Sequence, residues 1–177
     1  LLERFDLSPT QKVKTLSKGQ KAKAGLICAL AHRPELLVLD EPSSGLDPVV
    51  RRHILSAVMR NVADEGRTVL FSSHLLDEVE RVSDYVAIIH RGELVLCDRL
   101  RSILDAHYHF HVEYEFPPAE TPKFEGALSC DGRGTKYTVL CDGQSEAVRQ
   151  AVTAAGARIV DESRPTLEDI FVARVGM

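Results

Sequence analysis

Asp40 and Glu41 stand side by side at the end of an apolar run, Leu36-Leu37-Val38-Leu39. One carboxylate of such a pair can hold a magnesium ion, directly or through water, while its neighbour polarises a water for attack on a phosphate. A core strand ending in a solvated acidic turn explains the hexapeptide equally well. The surroundings bear on the choice. Upstream, Leu16-Ser17-Lys18-Gly19-Gln20 opens a stretch with helical periodicity at Ala22, Leu26, Ile27, Ala29 and Leu30. Ser17 suits a helix N-cap, and Gly19 lets the backbone come close to a ligand. Free N–H groups at a helix start, with the positive end of its dipole, are a phosphate site in outline. Downstream, Pro42-Ser43-Ser44-Gly45-Leu46-Asp47-Pro48 reads as a tight loop, and Ser73-His74 follows a second apolar run, Thr68–Ser72.

Those residues need elements to hold them. The run Leu36–Asp40 reads as a strand buried on both faces, as in a parallel sheet covered by helices. Its C-terminal end is where open α/β sheets place their ligands. The helix opened by Ser17 is expected to run to about Arg33, stopped by Pro34. A second helix spans about Pro48 to Asp64, with Val50, Ile54, Ala57 and Val58 on one face, and Gly66 ends it. After the strand Thr68–Ser72 comes a helix over Leu75–Val82 carrying its acids and arginines outward. Tyr85–Ile89 and Glu93–Cys97 pair around Arg91-Gly92 as a hairpin, and Arg99–Ala106 is a short helix. A further short helix is expected around Leu1–Phe5, followed by a turn at Ser8-Pro9.

From His107 the pattern changes. Tyr108, Phe110, Val112 and Tyr114 alternate with polar residues, the mark of a half-buried strand. Strands at about Gly126–Cys130 and Lys136–Cys141 flank a turn at Gly132/Gly134. A helix over Ser145–Ala155 and a strand around Arg158–Asp161 follow. Thr166-Leu167-Glu168-Asp169 is a capping box opening a last helix to about Arg174. His107, His109 and His111 would share one face of their strand. A straight row of imidazoles seldom wraps one metal without other ligands, so a polar strand face is the cheaper explanation.

The serine-led helix tip, the paired acids, the following loop and the histidine, in this order and spacing, resemble the nucleotide-binding subunit of an ATP-binding-cassette (ABC) transporter over roughly residues 1–100. The resemblance implies an α/β fold: part of a P-loop NTPase core with a parallel sheet over 1–104, and a small α+β C-terminal extension over 105–177. It implies ATP and Mg2+ as cofactors and a head-to-tail dimer with two ATPs sandwiched between subunits. Asp40 would position the Mg2+ through water. Glu41 would act as general base or water-orienting acceptor, and His74 would contact the γ-phosphate and link Glu41 to the dimer partner. Ser17, Gly19 and Gln20 would face the γ-phosphate bound in the other subunit, and Lys18 among them stands where the commonest signature has glycine. Ser44, Gly45 and Asp47 would line the dimer seam, although simple turn chemistry also accounts for Ser44 and Gly45. Residues 167–171 are similar to the ends of exporter-type subunits. The partners implied are transmembrane permease subunits and a second nucleotide-binding subunit, at the cytoplasmic face of the cell membrane. A non-transport ATPase of the same superfamily, in DNA repair or translation, and a non-catalytic dimerisation or regulatory module are the competing readings.

Composition sets bounds on these expectations. The 177 residues carry 44% apolar and 27% charged side chains and a net charge of −4, which gives no general reason to expect nucleic acid as a partner. Lys12, Lys14, Lys18, Lys21 and Lys23 form one basic cluster; a solvated helix face accounts for most of it, and Lys18 is expected near phosphate. Four cysteines in no metal-ligand spacing are expected to be reduced and mostly buried, Cys28 on the apolar stripe of its helix. No run approaches the roughly 18 apolar residues of a membrane span. No GxxxxGK[ST] phosphate loop occurs; Gly132-Arg133-Gly134-Thr135-Lys136 resembles it only in composition. The chain therefore reads as the C-terminal part of a longer subunit, expected to hydrolyse no ATP by itself.

Overall fold

A computed structural model describes residues 2–3, 5–63 and 66–176. The chain divides into two compact units, Leu1–Glu78 and Val79–Met177. In the first, Ser17 caps helix α1 (Lys18–Ala31) through a reciprocal pair of bonds. The Gln20 amide donates to Ser17 Oγ at 3.2 Å, and the Ser17 amide donates to Gln20 Oε1 at 2.9 Å. Two amides that a helix start leaves without partners are thereby satisfied. Strand β1 (Leu36–Leu39) pairs in parallel with β2 (Thr68–Phe71), Leu36 opposite Thr68 and Leu39 opposite Phe71. Helix α2 (Pro48–Ala63) joins them. Its Ile54, Ala57 and Val58, one helical face, pack with Leu26 and Leu30 of α1, Leu37 of β1, and Phe5 and Leu7 into one core.

Several expectations need correcting here. β1 is not buried on both faces: Leu37 is buried, but Leu36 and Val38, and Leu70 of β2, are more than half exposed. The sheet is two strands wide among the described residues. The core that gathers Leu37 with α1 and α2 lies on one side only. Cys28 is exposed, because two positions beyond Leu26 on a helix is more than halfway round it; Cys97 is exposed as well, and only Cys141 is fully buried. The first residues form turns where described, not a helix, and a 3-10 turn occupies Val13–Thr15. Leu1, Arg4 and the expected helix end at Asp64 lie outside the described residues.

Helix α3 (Leu76–Val82) also departs from its expected orientation. Asp77 and Arg81 are exposed, but Glu78 is buried. In the second unit, β3 (Tyr85–His90) and β4 (Glu93–Arg99) form an antiparallel hairpin whose two turn residues, Arg91 and Gly92, both have positive φ, 51° and 82°. That is the turn geometry whose twist matches paired strands. Helix α4 (Leu100–Ala106) leads into β5 (His107–Tyr114). β6 (Ala127–Arg133), β7 (Lys136–Asp142), β5 and β8 (Ala157–Ser163) form one antiparallel sheet in the order β6-β7-β5-β8. Between β7 and β8 comes α5 (Ser145–Ala154), whose Val148 and Val152 are sealed against Phe110, Val112 and Val139. Thr166 caps the last helix, α6 (Leu167–Val175), with Asp169 completing the capping box.

The three histidines of β5 are not a solvated polar face. His107 is buried: its Nδ1–H donates to the Ile103 carbonyl at 2.7 Å, leaving Nε2 to accept from Arg174 Nη2 at 3.3 Å. His109 is half-buried, and burial pushes its imidazole below its ordinary 6.5, with His111 pushing the same way and Asp169 opposing. A histidine held low in the folded state favours the neutral form, so its contribution is full above about 6.5 and is lost as pH falls towards the folded value. The second unit should accordingly lose stability below pH 6.5. His109→Gln should flatten that dependence in urea titrations across pH 7 to 5. An unchanged slope in the variant would assign the effect to other groups.

Candidate functional site

Asp40 and Glu41 leave the C-terminal end of β1, and the loop to α2 begins at once. Ser72, just past the end of β2, holds both acids. Its Oγ–H donates to Asp40 Oδ1 at 2.6 Å, and the same oxygen accepts from the Glu41 amide at 2.9 Å. The Ser72 amide donates to the Leu39 carbonyl at 2.9 Å, which carries the parallel ladder up to the acids. Among the described residues nothing takes Asp40 Oδ2. That oxygen, exposed at the rim of a parallel pair, suits a hydrated divalent cation, which such sites bind through one or two carboxylates and several waters.

Glu41 has φ +45°, the left-handed region that non-glycine residues seldom occupy. Two bonds hold it there: the one from its amide to Ser72, and one from His74 Nδ1–H to its Oε2 at 2.8 Å. The backbone turn aims the carboxylate at the imidazole. Left-handed backbone disfavours a Cβ by about 1 kcal/mol or more. Glu41→Gly should therefore be about 1 kcal/mol more stable than Glu41→Ala, since both lack the carboxylate and differ only in that backbone penalty. Urea denaturation of the two variants measures the difference, and equal midpoints would show the backbone to be unstrained.

The loop that follows is fixed from both ends. Asp47 Oδ1 accepts from the Val49 and Val50 amides at 3.1 and 3.0 Å, and so caps α2. Ser43 Oγ–H donates to Glu78 Oε2 at 2.7 Å, both groups being buried. Gly45, at φ +67°, lies directly under the Lys18 ammonium; an added Cβ would displace that flexible side chain and would be strained by the left-handed backbone. Gly19 packs tightly against α2, where an added Cβ would meet Val50 Cγ1 at 3.1 Å. The helix tip thus packs against the loop of its own chain. Ser17 Oγ accepts from the Gln20 amide and keeps its O–H free to donate, whereas the Gln20 carboxamide oxygen is engaged in the cap.

The residues picked from the sequence therefore fall into two groups. Glu41 meets His74 and shares Ser72 with Asp40; Lys18 and Gly19, in the tip that Ser17 and Gln20 cap, lie against Gly45 and Val50 near the start of α2, which Asp47 caps, with Ser44 exposed on the loop between. No hydrogen bond joins the helix tip to the acids among the described residues. Sequence reasoning missed Ser72, Ser43, Arg51 and Glu78, which hold the others. A polar residue at the end of an apolar strand was the available signal for Ser72. For Glu78 it was an acid flanked by Leu75, Leu76 and Val79.

A parallel strand pair with two acids at its rim, a capped helix tip and an imidazole past the neighbouring strand end is an α/β arrangement with the groups needed to position a phosphate and a water. Residues 7–80 match the family described as "AAA domain, putative AbiEii toxin, Type IV TA system", less than half of the chain. The wider likenesses are more specific. MJ1267, an ATP-binding cassette of an ABC transporter solved in its ADP conformation, is 29% identical with a TM-score of 0.51, over 59% of this chain and 43% of its own. A nucleotide-free cassette from an ABC transporter is 30% identical with a TM-score of 0.51, over 55% of this chain and 39% of its own. An uncharacterized ABC transporter ATP-binding protein of Alkalihalophilus pseudofirmus is 32% identical over 99% of this chain and 68% of its own length. YtrB of Bacillus subtilis, an ABC transporter ATP-binding protein, is 26% identical over 99% and 60%. The Nod factor export ATP-binding protein I of Sinorhizobium fredii is 31% identical over 98% and 51%. The chain belongs to the ABC transporter ATP-binding protein family. It spans about half to two-thirds of the length of these relatives.

Proposed function

We propose that this chain is part of the ATP-binding, ATP-hydrolysing subunit of an exporter-type ABC transporter, with residues 1–104 contributing to the cassette and 105–177 forming an extension. The contact between Glu41 and His74 at 2.8 Å is the observation that carries it. It sets a carboxylate, as general base for an attacking water, beside an imidazole able to donate to a terminal phosphate. Asp40, with Oδ2 unused, would hold Mg2+ through water, and the metal when bound neutralises phosphate charge. Ser17 would offer its free O–H, and Gly19 its close backbone, to a phosphate held by a second subunit. Lys18, lying over Gly45, would brace that tip rather than reach for the phosphate. Ser44, Gly45 and Asp47 would face the dimer seam. The export direction is supported by the Nod factor relative, and the partners would be membrane permease subunits at the cytoplasmic face. No helix among the described residues is long and apolar enough to cross a membrane.

The 177 residues contain no GxxxxGK[ST], and the proposal is that they do not turn over ATP alone. Phosphate release from Mg-ATP should be at background for this chain, and measurable when a phosphate-loop-bearing segment of a relative is placed ahead of it. Turnover by the chain alone, or none by the joined form, would overturn the reading.

A further inference from the structure

We propose that Glu78 is the positioning residue for the loop that carries Ser44, Gly45 and Asp47, fixing it in register with the His74 turn. Its catalytic meaning rests on the ATPase reading above; its geometry does not. Both oxygens of the carboxylate face that loop. Oε2 accepts from Ser43 at the loop's start, and Oε1 lies 3.3 Å from Nε of Arg51, whose Nη2 donates to the Leu46 carbonyl at 3.1 Å near its end. One acid therefore restrains both ends of a short segment. Within it, the Ser44 amide donates to the Glu41 carbonyl at 3.1 Å and the Leu46 amide to the Ser43 carbonyl at 3.3 Å.

Beyond the Ser72 bonds at the strand ends, two side-chain links join the same pair of segments. Glu41 to His74 is the exposed one, and water can take the place of either partner. Ser43 to Glu78 is the sealed one, at 1% and 2% exposure. An exposed polar bond opens with little penalty, whereas opening the sealed one leaves a buried carboxylate short of a donor. The motion that is cheap at the His74 turn is then one in which the loop moves with it. A residue needed only to fill that space would be apolar, since burying a carboxylate carries a desolvation penalty that burying a leucine does not. What the carboxylate adds is direction: Oε2 accepts the Ser43 hydroxyl, and Oε1 faces the Arg51 guanidinium as an ion pair, with no hydrogen bond from Nε. Ser44 and Asp47 are placed by this arrangement relative to Glu41 and His74, so the residues proposed for the dimer seam and those proposed for phosphate share one frame.

Backbone amide exchange of the chain without nucleotide tests the geometry. Ser43→Ala should speed exchange at the Leu46 and Ser44 amides about tenfold, the equivalent of one lost buried hydrogen bond. The Ser72 amide, in the strand ladder, should stay within about twofold in the same variant. Ser43→Thr, which keeps the hydroxyl, should restore slow exchange, and Glu78→Met, which cannot accept from Ser43, should match Ser43→Ala in the pattern of amides affected. A uniform rise across β1 and β2, or none at the loop, would overturn the proposal and leave Glu78 a packing residue. In the phosphate-loop-bearing form, Ser43→Ala should lower kcat roughly tenfold to a hundredfold, the scale of a misplaced group, with KM for ATP little changed. Equal kcat in variant and parent would remove the catalytic role. If the parent itself fails to turn over ATP, the ATPase reading falls, and the exchange pattern still decides what Glu78 does.

Discussion

Glu41→Gln should cut ATP turnover by about 10²–10⁴-fold, the usual worth of a positioned general base, in the form of the chain joined to a phosphate loop. The substitution is nearly isosteric. The carboxamide oxygen can still accept from His74 Nδ1–H, so the 2.8 Å contact and the φ of +45° that depends on it are kept. What is lost is the capacity to take a proton from water. Two simpler explanations for a slow variant can be separated from this one. Loss of fold would lower the urea midpoint, and loss of nucleotide affinity would raise KM; neither is expected here, because Asp40 and the helix tip are untouched. Phosphate release at saturating Mg-ATP, with nucleotide binding measured alongside, distinguishes them. A glutamine variant with near-parental turnover would move the base elsewhere.

His74→Ala should be the milder lesion. Glu41 would lose one of its two restraints but retain its proton-accepting oxygen, with Ser72 still holding its amide. A smaller effect for His74 than for Glu41 is the order that geometry dictates. The opposite order would make the imidazole the proton acceptor.

How much of this was legible before any coordinates turns on which forces are local. The Ser17 and Thr166 caps were readable because a capping box is closed by residues three apart. The face of α2 was readable from its period. The positions of Asp40, Glu41 and His74 followed from strand ends, and the structure sets Glu41 and His74 side by side. The exposure of Leu36, Val38 and Leu70 was not legible, because an apolar run says that a strand could be covered on both faces but not whether a cover is at hand. Cys28 was misjudged by a fraction of a helical turn. Glu78 was hidden for a different reason: its partners, Ser43 and Arg51, are separated from it by 35 and 27 positions, and hydropathy places any glutamate outside. The burial of His107 depends likewise on Arg174, 67 positions on. Buried polar networks are decided by tertiary partners, which is where sequence patterns have least to offer.

Glu78→Ala should destabilise the first unit by about 3 kcal/mol, the lower end of the range for breaking a buried charged pair. The lower end is expected because the Arg51 side chain is 26% exposed and can turn its guanidinium to water, whereas the Ser43 hydroxyl, at 1%, cannot. Most of the loss is then a stranded hydroxyl and a cavity, not a stranded cation. That division makes a second variant informative. Ser43→Ala with Arg51→Met and Glu78→Met removes every polar side chain of the network at once and refills the space, so that only the Leu46 carbonyl loses a partner. Replacing a whole buried ionic network by apolar side chains is often neutral or stabilising, and the triple variant should lie within about 1 kcal/mol of the parent. Its loop, however, would have lost its directional restraints, and the Leu46 amide should exchange about as fast as in Ser43→Ala. A stable protein with a loosened loop would mean that the network serves placement. A triple variant as unstable as Glu78→Ala would mean that it serves the fold, and urea midpoints read beside amide exchange in the same samples decide between the two.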